Sequence, residues 1–219
     1  QGAVNWNIVN SGTGTQTFTL TLRDGGQLSG GVQLTNYANH TISMKDYATL
    51  NGSVEMSGNA TTHANAQNVT LDNHSEITGT VTLTGNSTRV SVTSSEMGAL
   101  NLNGTGTQLA VNGMISKVGA VTLSSGQLKD TGTNATVNIS QGTVASITQQ
   151  AGEPLKSAVK ITVGENGTVA GATSIDNSAD IVVNRGKMGS VTLPTGSLTV
   201  NGPSASLGAL NLNDGGNTT

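Results

Sequence analysis

The segment GTVTLTGNSTRVSVTSSEMGALNL, residues 79–102, decides the fold. It opens with a glycine followed by valine and leucine at alternating positions, and it continues through a second alternating stretch, Val90-Ser91-Val92. The opening motif then returns at Gly98, 19 residues after Gly79. Alternation of apolar and polar residues with a period of two is typical of a β-strand with one buried side. The early return of the motif predicts that one short coil of the chain stacks on the next.

The opening motif recurs along most of the chain. It consists of Gly, then Val or Leu two residues later, then Leu or Met after two more. Clear copies begin at Gly30, Gly52, Gly79, Gly98, Gly119, Gly189 and Gly208, and weaker copies begin at Gly142 and Gly167. The starts are 19 to 27 residues apart, which suits coils of two or three short strands joined by variable loops. Asn-Gly dipeptides between the strands favour sharp corners, because both residues tolerate positive φ.

These repeats predict an all-β chain, folded as a right-handed parallel β-helix, which is a solenoid, of about ten coils. Residues 1–219 form a single domain, in which 30–212 carry the clear repeats and 1–29 form either a cap or an irregular first coil. Only 34% of the residues are hydrophobic, and all four aromatic residues lie within the first 47 positions. A narrow tube lined with aliphatic side chains fits this composition better than a sandwich or barrel, whose core is normally filled with large rings.

Charge is sparse and evenly scattered. There are 12 acidic and 9 basic residues, which give a net charge of −3. No basic patch is available to neutralise phosphates, which argues against nucleic-acid binding. No apolar run approaches the roughly 20 residues of a membrane-spanning helix. The chain has no cysteine, which is compatible with export to an oxidising compartment.

The Gly-x-Val-x-Leu coils, the Asn-Gly corners and the surface rich in Thr, Ser and Asn resemble the passenger domains of bacterial autotransporter adhesins, in particular the AIDA-type and self-associating group. The resemblance covers roughly residues 30–212. It implies a location at the outer membrane or cell surface of a Gram-negative bacterium, with a C-terminal β-barrel translocator in the full-length protein. It also implies roles in autoaggregation, biofilm formation, virulence or attachment to host surfaces.

No catalytic, cofactor or metal site is predicted. Many parallel β-helices cleave polysaccharides, and such enzymes need clustered carboxylates. The acidic pairs nearest in sequence are Asp72/Glu76 and Asp176/Asp180, which solvated loops explain equally well. The histidines are too far apart in sequence for a zinc motif, although the last two of them would meet if they lay on adjacent coils. The three are His40, His63 and His74.

Two outward columns of short polar residues are the predicted binding surface. Stacking the repeats gives a first column of Gln33, Glu55, Thr82, Asn101, Thr122, Ala145, Thr192 and Asn211. A second column contains Thr70, Ser91, Asn138, Thr162 and Thr199. Such arrays bind through many weak hydrogen bonds. The alternative is that these are ordinary solvated strand positions whose side chains satisfy one another.

The predicted function is a cell-surface adhesin, not an enzyme. Its partner is either a second copy of itself on a neighbouring cell or a host glycan or matrix protein, with no nucleic acid and no cofactor involved. The alternative function is a β-helical polysaccharide-degrading enzyme or a fragment of a phage tailspike type.

Overall fold

The computed structural model describes residues 4–58, 65–124, 135–150, 158–212 and 217–218. These residues form 26 strands and no helix, and every strand pairing among them is parallel. The strands belong to three stacked series, which we call the first, second and third faces. The chain passes through the faces in that order once per coil.

The first face is made of very short strands. These are β1 (Val4–Asn5), β4 (Gln27–Ser29), β7 (Thr49–Asn51), β10 (Glu76–Ile77), β13 (Glu96–Met97), β21 (Lys187–Met188) and β24 (Ser206–Leu207). The second face contains β2 (Ile8–Gly12), β5 (Val32–Asn36), β8 (Val54–Ser57), β11 (Val81–Thr84), β14 (Leu100–Asn103), β19 (Thr173–Ile175), β22 (Val191–Leu193) and β25 (Leu210–Leu212).

The third face contains β3 (Thr19–Leu22), β6 (Thr41–Met44), β9 (Asn68–Asp72), β12 (Arg89–Thr93), β15 (Thr107–Asn112), β20 (Ser178–Asn184), β23 (Thr195–Asn201) and β26 (Asn217–Thr218). Three longer strands bend around corners and contribute to more than one face. They are β16 (Lys117–Ser124), β17 (Ala135–Gln150) and β18 (Ala158–Val169).

The stack confirms the predicted parallel β-solenoid. About eight turns are paired on both sides, and strands β1–β3 and β24–β26 form one further coil at each end of the described stack. The count differs little from the prediction. Within residues 1–29, the segment from Val4 to Leu22 is a coil in register with its neighbour. Right-handed winding is the sense expected of parallel strands joined by crossovers and stays a prediction.

The core is a thin aliphatic column that runs the length of the solenoid. Alternate residues of each strand point inward, and on the second face the sequence motif supplies them as Val81 and Leu83, stacked on Leu100 and Leu102. These side chains are buried, as are the equivalent ones of the third face. Because each coil buries only a few side chains, stability comes from burial between neighbouring coils, as in other solenoids.

The repeated glycine marks a corner where successive backbones nearly touch. A Cβ atom added to Gly52 would lie 2.1 Å from the carbonyl oxygen of Gly30, and one added to Gly79 would lie 2.3 Å from that of Gly52. Gly98 repeats the approach, at 2.4 Å from the carbonyl oxygen of Gly79. Distances this short leave no room for a methyl group. The glycine of the motif therefore permits the close stacking that sets the register between the first and second faces.

This corner also explains an error in the sequence prediction. The weaker motif copies at Gly142 and Gly167 lie on the first face and pair with each other. The second-face strands of those coils instead begin near Ile147 and Thr173. In the first of these coils Ala145 follows Val144, which pairs with Val118, so Ala145 takes the place of Gly119. The missing glycine shifted the predicted repeat in that coil. The following coil keeps a corner glycine, Gly171, but the strand after it departs from the Val and Leu of the motif.

Gly79→Ala tests the glycine corner. We expect a loss of about 1–3 kcal/mol in the free energy of unfolding, because the backbone of the neighbouring coil must move. The matched control is Gly14→Ala, where nothing lies within 4 Å of the added carbon. Chemical denaturation followed by circular dichroism measures both. Equal stability of the two variants would contradict the tight corner.

A buried polar ladder lines the corner between the second and third faces. The backbone N–H of Phe18 donates to Nδ1 of His40 at 3.2 Å. The N–H of His40 donates to Oε1 of Gln67 at 3.0 Å, and the N–H of Gln67 donates to Oγ1 of Thr88 at 3.1 Å. All three acceptor residues are fully buried. Each coil thus satisfies a buried backbone donor of the preceding coil with a side chain.

His40 makes this ladder sensitive to pH. Its Nδ1 accepts a hydrogen bond, so the ring is neutral. Burial lowers the pKa of His40 below its ordinary value, and the backbone carbonyl of Asn36 opposes that shift. Protonation therefore costs more in the folded than in the unfolded chain. The contribution to stability is complete above about pH 6.5 and is lost as the pH falls below that value.

We predict that the free energy of unfolding falls between pH 6.5 and pH 5 in the natural chain and falls less in His40→Gln. The matched control is His74→Gln, which removes an exposed histidine and should keep the pH dependence of the natural chain. Denaturation curves at several pH values provide the measurement. The same slope in His40→Gln and in the natural chain would be inconsistent with protonation at His40.

Candidate functional surface

The second face carries a column of outward residues through all of its strands. In register, the column contains Val9, Gln33, Glu55, Thr82, Asn101, Thr122, Thr148, Ser174, Thr192 and Asn211. Thr82, Asn101, Thr122, Thr192 and Asn211 therefore lie where the sequence predicted them. Ala145 does not belong to the column, because the repeat was misplaced in that coil. Thr148 and Ser174 occupy the two positions that the prediction missed.

The second-face column is free of charge from Thr82 to Asn211. A parallel column beside it, formed by Thr84, Asn103, Ser124 and Gln150, is also uncharged. Every side chain in both stretches ends in a hydroxyl or an amide, so each can both donate and accept a hydrogen bond. These two stretches together form a neutral hydrogen-bonding strip, which we call the neutral strip.

In part of the neutral strip, the side chains hydrogen-bond to one another. Nδ2 of Asn101 donates to Oγ1 of Thr82 at 3.2 Å, and Nδ2 of Asn103 donates to Oγ1 of Thr84 at 3.3 Å. Oγ of Ser124 donates to Oδ1 of Asn103 at 2.5 Å. In these coils the observed ladder matches the alternative interpretation of solvated strand positions.

Further along the strip the hydroxyls are open. Within the described part of the chain, no side-chain hydrogen bond involves Thr122, Thr148, Ser174 or Thr192. Four successive coils therefore present hydroxyl groups whose hydrogen-bonding capacity is available to water or to a partner. This stretch is the strongest candidate contact surface on the second face.

The third face carries the second predicted column. Its members are Thr21, Ser43, Thr70, Ser91, Ala110, Asn138, Thr162, Val182 and Thr199. The five predicted residues share this line, but Ala110 and Val182 interrupt its polar character. A groove of about 320 Å³ lies beside Ala110, and Thr70, Ser91 and Asn138 are among its lining residues.

The corner between the third and first faces gathers groups that the sequence did not place together. The ring of Tyr47, which is 63% exposed, stacks on that of His74 with centroids 4.8 Å apart. Glu76 and Glu96 are register partners on adjacent coils, and Nζ of Lys117 lies 2.8 Å from Oε1 of Glu96. A pocket of about 150 Å³ is bordered by His74 and both glutamates. Contact with Glu96 raises the pKa of Lys117.

The acidic pairs suggested by sequence do not form clusters. Asp72 ends a third-face strand, whereas Glu76 lies on the first face. Oγ of Ser197 donates to Asp180 at 2.9 Å, so that carboxylate has a structural partner. His63 lies outside the described residues. Among the residues that the structure does describe, no three His, Cys, Asp or Glu side chains are grouped as metal ligands.

Comparison with known proteins found no match among family models, curated proteins or solved structures. In the described parts of the chain, no helix is long and apolar enough to span a membrane.

Proposed function

We propose that this protein is a surface-exposed binding scaffold whose neutral strip mediates self-association between copies of the chain. The observation that carries the proposal is the run of open hydroxyls at Thr122, Thr148, Ser174 and Thr192, all in one register line. The adhesin function, the export to a bacterial cell surface and the autotransporter family belong to the same proposal. They are supported by the resemblance of the repeats.

Neutrality favours contact between identical surfaces. When two copies of one face meet, a charged residue near the symmetry axis faces its own copy, and such like-charge juxtapositions are costly. The neutral strip avoids that cost from Thr82 to Asn211. Hydroxyl and amide groups both donate and accept hydrogen bonds. Two copies of the strip can therefore form hydrogen bonds with each other in more than one alignment.

A solenoid can bind through many weak hydrogen bonds spread along its length. Each net hydrogen bond contributes only about 1 kcal/mol, and immobilising the two partners costs considerably more than that. Coils spaced by about 4.8 Å place four open hydroxyls along roughly 14 Å of the strip. Many such contacts along many rods on one cell give avidity without a strong single site.

The double variant Thr122→Arg/Thr148→Arg tests the neutral strip. We expect it to abolish self-association, measured as sedimentation of the purified chain and as clumping of beads coated with it, because four cations meet across each contact. The matched control is Thr143→Arg/Thr168→Arg, which places the same change on adjacent coils of the first face.

Both variants should keep the circular dichroism spectrum of the natural chain. Self-association that survives the strip variant, or that is lost equally in the control, would remove the second face as the contact surface.

A second candidate function is cleavage of polysaccharides at the pocket beside Glu76 and Glu96. The observation in its favour is the pairing of two carboxylates on adjacent coils, because strands about 4.8 Å apart approach the separation of about 5 Å found in retaining glycosidases. The ion pair of Glu96 with Lys117 speaks against it, since that carboxylate already has a cationic partner.

A screen of neutral and acidic polysaccharides for release of reducing ends separates the two functions. The scaffold proposal predicts no turnover above that of the Glu76→Gln/Glu96→Gln variant. Turnover by the natural chain that this variant lacks would establish the enzyme instead.

A further inference from the structure

The groove on the third face has a physical origin in two neighbouring columns of unequal height. One wall contains Asn68, Arg89, Gln108 and Thr136, which share a register line. The other contains Thr70, Ser91, Ala110 and Asn138. Long side chains stand at Arg89 and Gln108, whereas Ser91 and Ala110 beside them are short. The backbone between the columns, whose side chains point inward, forms the floor.

The groove is cationic and free of carboxylates. None of its lining residues is Asp or Glu, and Arg89 is exposed. Two other cations have acidic partners: Lys117 lies 2.8 Å from Glu96, and Arg185 lies 3.8 Å from Glu165. Within the described residues Arg89 has no such ion pair. The guanidinium of Arg89, exposed beside the groove, is therefore available to an external anion.

The cationic character continues along the rod. Thr136 pairs with Lys160 on the next coil, so Arg89 and Lys160 stand on one column with Gln108 and Thr136 between them. Three coil spacings separate the two cations by roughly 14 Å. The residues between them offer amides and hydroxyls. Asp180, which follows Lys160 on the column, ends the cationic stretch.

We infer that this groove binds an acidic polysaccharide, with a uronate carboxylate held by the guanidinium of Arg89. A guanidinium matches a carboxylate through two parallel hydrogen bonds. The flanking Asn68, Gln108 and Asn138 provide amide donors and acceptors for sugar hydroxyls. A chain of sugars lying along the column reaches Lys160 with a later carboxylate. The inference rests on the proposed role as a binding scaffold and names the ligand of its third face.

The test uses the full chain and oligosaccharides of a hexuronic acid, four to eight sugars long, titrated by calorimetry. The matched probe is the same oligosaccharide with its carboxyl groups reduced to alcohols. We expect binding of the acidic form, weakening with salt, and at least tenfold weaker binding of the reduced form, since a charge-assisted hydrogen bond contributes about that factor.

Three variants locate the site. Arg89→Gln should weaken binding of the acidic oligosaccharide about tenfold, and Ala110→Gln should weaken it by filling the groove. Arg23→Gln, a change of the same type outside the groove, should leave binding unchanged. Circular dichroism and thermal melting confirm that each variant folds.

Several results overturn the inference: equal binding of the reduced oligosaccharide, no effect of Arg89→Gln, or an equal effect of Arg23→Gln. Binding of a poly-glutamate peptide that is as tight as that of the uronate, with the same dependence on Arg89, would identify the ligand as an acidic peptide instead. Self-association of Arg89→Gln distinguishes the two proposals, because the neutral strip lies on another face. Loss of glycan binding with intact self-association supports both proposals. If the natural chain does not bind the glycan, only the glycan inference is contradicted; if it does not self-associate, only the proposed function is contradicted.

Discussion

Close contact between the backbones of successive coils is the constraint on which the rest of this structure depends. At the corner between the first and second faces, the carbonyl of one glycine lies where the next glycine would carry its side chain. This contact fixes the vertical register of the stack. Once the register is fixed, every strand position becomes a column, and the alternation along each strand decides whether that column is core or surface.

The register determines which columns of residues form the core and which form the surface. The inward columns are mostly aliphatic. Among the buried polar residues, His40, Gln67 and Thr88 accept hydrogen bonds from backbone donors of the preceding coil. The outward columns are free of packing constraints, and the three faces accordingly differ in chemistry. The first face carries the charged residues Glu76, Glu96 and Lys117. The second face carries the neutral strip, and the third carries Arg89 beside its groove. Both candidate surfaces, the neutral strip and the groove, extend over several coils.

Much of the fold was predictable from the sequence because glycine and aliphatic residues recur with the spacing that stacking requires. The prediction is wrong where Ala145 replaces the corner glycine, since the sequence then places the start of the repeat at the nearest preceding glycine, Gly142. The column residue Thr148 was missed for this reason. Ser174 was missed for another reason: its coil keeps the corner glycine, Gly171, but Thr173 and Ile175 stand where the motif has Val and Leu. Aligning Ile147 and Gln149 with Val121 and Leu123 places Thr148 in the outward column, but Gln149 is polar where the motif has Leu or Met.

The remaining features of the surface depend on coil lengths that vary too much to be read from sequence. Glu76 and Glu96 are 20 residues apart, and nothing in the sequence shows that this distance is one full turn at that position. The groove could not be predicted either, because it arises from side-chain sizes in two neighbouring columns. Arg89 and Gln108 in one column are long, whereas Ser91 and Ala110 in the other are short. His40 lies directly before a third-face strand, at the position that Gln67 and Thr88 occupy in the next two coils. All three residues are buried there.

The register of the second face can be measured directly, because the chain has no cysteine of its own. Two double variants, Thr122→Cys/Thr148→Cys and Thr122→Cys/Ala145→Cys, would be oxidised and their disulfide yields compared by mass spectrometry. Adjacent strands bring paired Cα atoms within the range of about 4.4–6.8 Å that a disulfide needs. The stacked register predicts a high yield for the first variant and little for the second. The reverse result would contradict the register, and with it the continuous neutral strip.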